Sequence, residues 1–343
     1  MSGTIRTAIV GYGLAGSVFH APLVSANPHF ELRSIVTANP ERASAAARRY
    51  PDAEIVSSFE KLLSRPGTLD LVVIASPTPT HVELAERTIE RGLTTVVDKP
   101  LAVRLADAER LIESSESRGV VLTTFQNRRW DGDFLTVRKL LAEGSLGEVY
   151  RFESRFEWLN PRPRPAWKSG TAGRDGGGVA YDLGSHLIDQ AVQLFGPVNE
   201  VYGELDWHRR GAVNDDDSFI ALTHESGVRS HLAMSSLVAQ RGFRFRVLGS
   251  EAAYTKWGLD QQESQLKSGL SPLDEGFGVE QEETYGRLGR DGELTVLPTE
   301  RGGYSRFYTL LAEAIAGRGP VPVDPRDALV AIRIIEELQA RRR

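Results

Sequence analysis

The chain has 343 residues, 41% hydrophobic and 25% charged, with a net charge of −5 and no cysteine. That length suits two domains of an ordinary globular protein better than one core. The charge gives no basic footprint for nucleic acid, the missing cysteines exclude disulfides and thiolate metal sites and fit a cytoplasmic setting, and no apolar run approaches the roughly 18 residues of a membrane span.

Met1 to Arg6 leads straight into a strand, so no signal peptide is expected. Thr7 to Val10 is the first predicted strand. It runs into Gly11-Tyr12-Gly13-Leu14-Ala15-Gly16, and a helical stretch follows from Ser17 to Ala26. In such a Gly-x-Gly-x-x-Gly turn the first glycine allows the tight turn. The second lets a pyrophosphate approach the backbone, and the third lets helix and strand pack closely. The helix start then offers free N–H groups and a positive dipole end to phosphate. Taken alone the glycine pattern is weak; its place between a strand and a helix, at the head of an alternating series, makes it informative.

Phe30 to Val36 reads as the second strand, and Glu41 to Tyr50 as a helix entered through Asn39-Pro40. Ala53 to Val56 is a short strand, and Ser58 caps a helix over Phe59 to Leu63. Leu69 to Ala75 is nearly all apolar, as a strand buried on both faces should be. Helices over Thr80 to Arg91 and Leu105 to Arg118 end at Gly92 and Gly119; strands over Thr94 to Val97 and Val120 to Thr124 follow them. This alternation predicts a parallel sheet covered by helices on both faces.

The pattern changes near Phe125. Trp130 to Glu143 is an amphipathic helix, and Glu148 to Trp158 alternates like an antiparallel strand with one wet face. A Pro/Arg loop, Asn160 to Pro165, precedes a long helical segment from Gly177 to Phe195. Alternating strands follow over Val198–Trp207, Ser218–Thr223, Val228–Ser235 and Phe243–Leu248. Asp260 to Glu300 carries no clear pattern, and Tyr304–Ala316 and Arg326–Gln339 are closing helices. The acidic run Asp215-Asp216-Asp217 reads as solvated surface. The overall expectation is an α/β protein: a Rossmann dinucleotide-binding domain over 1–125, then an α+β domain over 126–343 with a large, mostly antiparallel open sheet.

Three further stretches carry candidate chemistry. Asp98-Lys99-Pro100 ends a buried parallel strand, where ligands of open α/β sheets bind, and the proline biases Lys99 to an extended backbone; a strand-terminating surface lysine is the plainer alternative. Asp182 and His186 are spaced i, i+4, so a helix puts both on one face. The imidazole suits a general base and the carboxylate suits its orienting partner; a buried histidine capped by an aspartate is the competing reading. Asn127, Arg128 and Arg129 lie where one domain hands over to the next, a usual place for ligand contacts or for salt bridges. At the end of the second strand, Val36-Thr37-Ala38-Asn39 lacks the carboxylate that selects NAD, while Thr37, Asn39 and Arg42 offer partners to a 2′-phosphate and Glu41 opposes one. That favours NADP over NAD. No His-x-x-x-His or similar spacing calls for a metal.

Together these stretches resemble the Gfo/Idh/MocA family of NAD(P)-dependent sugar and cyclitol oxidoreductases, over essentially the whole chain. The strings GYGLAGSVFHAPL, NRRWDGDFLT and YDLGSHLIDQ are similar to the branch that contains the NADP-dependent scyllo-inositol dehydrogenases. The resemblance implies that Lys99 meets the nicotinamide ribose and the reacting hydroxyl, with Asp182 and His186 completing the catalytic set. The family usually reads Glu-Lys-Pro; here Asp98 is one methylene shorter. Ser76-Pro77-Thr78 with His81 matches the loop beside the cofactor, which joins Gly11 to Gly16, Thr37, Asn39, Arg42, Asp98 to Pro100, Asn127 and Arg128 as the expected cofactor set. Arg129, Trp167 and Tyr181, with Trp158, are expected near a small polyol or sugar. Family members commonly form homodimers or homotetramers through the second-domain sheet. Hydride transfer to nicotinamide is the implied reaction. An aldose or keto-sugar substrate, redox-assisted glycoside cleavage and a non-catalytic NADP sensor remain as rivals.

Overall fold

The computed structural model describes residues 3–64, 67–160 and 170–341. Six strands form a wholly parallel sheet: β1 (Ile5–Val10), β2 (Phe30–Val36), β3 (Glu54–Val56), β4 (Leu71–Ile74), β5 (Thr94–Asp98) and β6 (Leu122–Phe125), in the spatial order β3-β2-β1-β4-β5-β6. All four residues of β4 are buried, which is why that stretch of sequence is continuously apolar rather than alternating. The helices between strands are α1 (Ala21–Ser25), α2 (Pro40–Arg49), α3 (Phe59–Leu63), α4 (His81–Glu90) and α5 (Leu105–Ser117). Ser58 caps its helix as the sequence predicts, accepting from the Lys61 N–H at 3.3 Å, and Asn39, just before Pro40, accepts from the Arg42 N–H at 2.9 Å. The strand order reverses direction between β1 and β4, the place where dinucleotide folds bind their ligand.

The second sheet has eight strands. Helix α6 (Gly132–Ala142) precedes its first strand, β7 (Val149–Glu157), and helix α7 (Ser185–Phe195) precedes β8 (Val198–Asp206). Then come β9 (Asp217–His224), β10 (Arg229–Ser235), β11 (Phe245–Gly249), β12 (Ala253–Lys256), β13 (Gly286–Arg290) and β14 (Glu293–Leu297). The order is β14-β13-β12-β11-β7-β10-β9-β8, antiparallel except for the central β7–β10 pair. In β9 every second residue is buried, the mark of a sheet with one covered face. The stretch 260–300, unpatterned in sequence, holds the short helix α8 (Gln262–Lys267) and the β13–β14 hairpin.

The chain forms two compact units, each assembled from separate stretches. One is Met1–Asn127 with Gln262–Phe277 and Gly303–Leu329; the other is Arg128–Gln261 with Gly278–Gly302 and Val330–Arg343. Helix α9 (Ser305–Ile315), late in the chain, therefore belongs with the parallel sheet. Its Phe307 and Tyr308 are fully buried, the first against Phe125 with ring centres 4.8 Å apart, the second against Phe30 at 5.4 Å. Burying two aromatic rings there outweighs any preference for sequence neighbours. Helix α10 (Asp327–Arg341) closes the chain.

Candidate active site

The glycine turn has the geometry its spacing predicts. Gly11 has φ +102°, and a Cβ on it would lie 2.6 Å from the Ala75 carbonyl oxygen. A Cβ on Gly16 would strike the Gly11 carbonyl oxygen. Both glycines are therefore required by close approach of backbone to backbone. Gly13 differs: its Cβ direction opens into space, and the nearest protein atom there is Nη1 of Arg42 at 3.8 Å. An open face with a guanidinium beside it fits the phosphates of a dinucleotide. Leu14, at the tip of the turn, is 55% exposed, whereas Tyr12 is buried. The helix after the turn begins wide: Ala15–His20 is a π-type segment in which the Ala21 N–H bonds the Gly16 carbonyl, and α1 continues from it. Such segments recur at functional sites.

Beside this turn lie the ends of β4 and β5. The Ala75 N–H bonds the Val10 carbonyl at 2.8 Å, so Ser76-Pro77-Thr78 emerges next to Gly11. The Ser76 hydroxyl pairs with that of Thr80 at 2.7 Å. At the end of β5, Asp98 and Lys99 are partly buried, and the Lys99–Pro100 peptide is cis. His81 is 1% exposed; its Nδ1 lies 2.9 Å from the Pro100 carbonyl oxygen and its Nε2 2.9 Å from that of Ser76. Sequence places His81 among the cofactor contacts. The structure gives both its ring nitrogens to backbone carbonyls, so it ties the two loops together. Burial acts to raise the Asp98 carboxyl, but the nearby His20, helped by Lys99 and His81, holds it below the usual carboxylate range.

The 2′-phosphate candidates cluster at the start of α2. Thr37, Asn39 and Arg42 are all at least partly exposed. The Asn39 carbonyl group is occupied as the helix cap, and the Arg42 guanidinium lies beside Gly13.

In the other unit, Asp182 lies in a second π-type segment, Ala180–Gly184, which runs into α7 carrying His186. Asp182 is partly buried, four residues before His186. His186 is buried, with its ring edge-on to Phe156 at 6.4 Å. One turn further on, Gln190 donates to the Arg128 carbonyl at 2.8 Å and accepts from Arg244 at 2.8 Å, which fixes α7. The start of the Asp182 segment is held by Asp215, whose carboxylate accepts from the Ala180 N–H at 2.7 Å and the Ser218 hydroxyl at 2.8 Å. Asp216 accepts from the His208 and Arg209 N–H groups. The acidic run expected at the surface is thus corrected: Asp215 and Asp216 are buried because orphan backbone donors need them.

Asn127, Arg128 and Arg129 share one 3₁₀ turn, Asn127–Trp130. Asn127 is buried, and Arg128 stacks over Phe156 with 5.5 Å to the ring centre. Arg129, expected near substrate, is buried in a two-pronged pair with Asp189, at 2.8 and 2.5 Å. That pairing occupies the guanidinium edge a substrate would need. Tyr181 is also buried. Trp167 and the loop beyond Asn160 lie outside the described residues. Sequence reasoning missed His20, Tyr308, Asp189 and Arg244 and placed Asp215 at the surface; His20 and Asp189, within the strings GYGLAGSVFHAPL and YDLGSHLIDQ, offered a local signal. Among the described residues no group of three or more His, Cys, Asp or Glu could hold a metal ion, and no helix is long and apolar enough to cross a membrane.

A glycine cradle at the reversal of a parallel sheet, with a lysine at the next strand end, defines a dinucleotide-binding oxidoreductase. The chain belongs to the Gfo/Idh/MocA oxidoreductase family: residues 5–126 match its NAD-binding Rossmann fold and residues 138–342 its C-terminal alpha/beta domain. It is 34% identical over 340 residues to the NADP-dependent scyllo-inositol 2-dehydrogenase IolW of Bacillus subtilis, covering 97% of this chain and 92% of that one. It is 39% identical over 346 residues to the uncharacterized oxidoreductase YdgJ of Escherichia coli, covering 98% and 96%. Among solved structures, the oxidoreductase yvaA of Bacillus subtilis superposes with a TM-score of 0.92 at 32% identity, covering 99% and 96%.

Proposed function

We propose that this chain oxidises a secondary hydroxyl of a cyclitol or sugar, scyllo-inositol being the favoured substrate and NADP the favoured cofactor. The observation that carries the reading is the cradle of Gly11, Gly13 and Gly16 beside the Asp98-Lys99-Pro100 turn. The match to an NADP-dependent inositol dehydrogenase over nearly the full length supports the substrate class. Gly11 to Gly16 would hold the pyrophosphate, with Ser76, Pro77 and Thr78 beside it and Asn127 and Arg128 further along. Arg42, with Thr37 and Asn39, would take the 2′-phosphate, since a guanidinium pairs well with phosphate oxygens. The bound nicotinamide supplies a hydride acceptor.

The protein's own part is proton handling and orientation. The Lys99 ammonium steadies the oxyanion that develops as the hydroxyl loses its proton. His186 accepts that proton, and Asp182, one turn away, orients the imidazole or the sugar. General acid–base help of this kind is worth about 10²–10⁴-fold.

The deciding experiment is absorbance at the reduced-nicotinamide band, with NADP⁺ or NAD⁺ and a panel of inositols, aldoses and alditols. Reduction with scyllo-inositol and NADP⁺ is expected. Reduction only with another polyol or an aldose would change the substrate. Binding of cofactor with no reduction by any of them would overturn the dehydrogenase reading in favour of a sensor or of redox-assisted glycoside cleavage.

The eight-stranded sheet offers a pairing face. Tyr202, Ala221, His231, Glu153, Arg246, Thr255, Arg287 and Val296 form one row across all eight strands by register. Tyr202 and Val296 on it are exposed. We propose that this face joins copies of the chain into a dimer or tetramer; a clean monomer in sedimentation would refute that.

A further inference from the structure

The Lys99 turn is gripped on both sides by buried imidazoles. His81 holds the carbonyl of Pro100, the residue after Lys99. His20 faces Asp98, the residue before it, with Nε2 3.5 Å from the carboxylate. His20 has 0% exposure, and its other nitrogen, Nδ1, lies 2.7 Å from the hydroxyl of the fully buried Tyr308. The three side chains come from three places: the wide segment after the glycine turn, the end of β5, and α9. They form a chain that ends one residue from the lysine.

We propose that Tyr308 and His20 are positioning residues for Lys99: the Tyr308 hydroxyl donates to Nδ1, which keeps His20 in its Nε2–H tautomer with that N–H aimed at the Asp98 carboxylate. The inference rests on Lys99 being the residue that meets the reacting hydroxyl. Hydrogen-bond inventory selects this tautomer. An ionised carboxylate can only accept, so Nε2 must carry a proton to face it favourably. A buried phenol needs an acceptor, and Nδ1 is the one within reach. The opposite tautomer would set the Nε2 lone pair against the carboxylate and leave the phenol without its acceptor. Burial and the negative charge of Asp98 push the Tyr308 phenol well above its usual range, so it stays a donor throughout the working range. At 3.5 Å the contact to Asp98 is longer than a hydrogen bond, so the orientation of the Nε2–H dipole counts for more than bond strength. Pinned in this way, Asp98 is a fixed negative charge adjoining Lys99.

The fold reason for the arrangement is α9. His20 lies tilted against Phe125, with ring centres 4.4 Å apart, and edge-on to Tyr308. An imidazole with both nitrogens spanning two polar side chains makes a directional tie that an apolar side chain lacks.

Two measurements on the full-length protein test the proposal. The first is the ¹⁵N spectrum of histidine-labelled protein, with the His20 signals identified by their loss in His20→Gln. The Nε2–H pattern is expected for His20 in the unmodified chain. An Nδ1–H pattern, or averaged signals from two tautomers, would overturn the proposal without any variant having to be active. The second is the kinetics of Tyr308→Phe with the best polyol found. Loss of one buried hydrogen bond should lower kcat about tenfold while the KM for cofactor changes little. His20→Gln, which keeps an amide N–H for Asp98, should be impaired less than His20→Leu. Normal kcat in Tyr308→Phe, with Lys99→Ala still crippled, would sink the positioning role alone. Normal turnover in Lys99→Ala would sink the reading on which it rests.

Discussion

Two buried polar clusters in this protein are built on opposite electrostatic terms. Around Lys99, one carboxylate, Asp98, meets His20, His81 and Lys99 and is held below its usual range. In the other unit a larger ionic cluster surrounds Arg244. This guanidinium bonds Ser154 at 2.5 Å and Gln190 at 2.8 Å, approaches Asp133 at 3.5 Å, and lies over the rings of Phe156 and Phe245 at 4.0 and 3.9 Å. Nearby, the fully buried Lys256 pairs with Glu280 at 3.1 Å. There burial dominates. It pushes the Asp131 carboxyl well up against the pull of Arg128, with Asp260 and Asp133 adding to the rise. It raises Glu280 as well, although Lys256 opposes it. The first cluster gathers Lys99 and two imidazoles around a single carboxylate and prepares a polar site. The second crowds carboxylates in a dry interior and holds a scaffold in register.

If that contrast is right, substitutions should separate activity from stability. Lys99→Ala should lower turnover by about 10²–10⁴-fold, with thermal unfolding and cofactor affinity nearly unchanged. Comparable turnover would erase the distinction between the clusters. Arg244→Met should do the reverse. Removing one member of a buried ionic set leaves its partners uncompensated, at a cost of about 3–5 kcal/mol of unfolding free energy, read from urea titration. Should Arg244→Met keep its stability but lose kcat, the second cluster would belong to the site.

Smaller effects sharpen the comparison. Arg42→Ala should weaken NADP by about tenfold, one charge-assisted hydrogen bond's worth, and leave NAD almost unaffected; titration calorimetry with both cofactors would show it. Equal losses would remove Arg42 from the phosphate site. The pH dependence of unfolding should split by cluster. Asp98, depressed in the fold, contributes stability that is present above the unfolded carboxylate range and is lost as pH falls through its folded value. Glu280, raised in the fold, contributes stability at low pH that is lost as pH rises through its folded value. Asp98→Asn should therefore flatten the acid limb of a melting-temperature profile, and Glu280→Gln the limb toward neutrality. Identical profiles for the two variants would contradict the opposite signs.

Much of the first unit was legible in sequence because its signals are short-range. Glycines at 11 and 16 each meet a local steric need, and Leu71–Ile74 is apolar throughout because the strand is buried along its whole length. Asn39 and Ser58 cap helices from the positions their side chains suit. The second sheet was readable as alternation but not in full: β12, β13 and β14 are short, and β14 is mostly exposed, so little hydrophobic pattern marks them. Side chains that sequence offered as ligand contacts, Arg129 and His81, turned out to be held by Asp189 and by backbone carbonyls. A polar residue near a motif looks the same in sequence whether it faces a ligand or a buried partner.

The parallel fold, its dinucleotide cradle and the order of the candidate groups depend on residue spacing along a few turns of chain, and so are written in the sequence. Which polar groups share a buried environment is set by packing. Tyr308 reaches His20 across 288 positions, and α9 leaves its sequence neighbours to cover the parallel sheet. Charge state and tautomer follow from desolvation and from partners brought in by packing, and no local pattern encodes either.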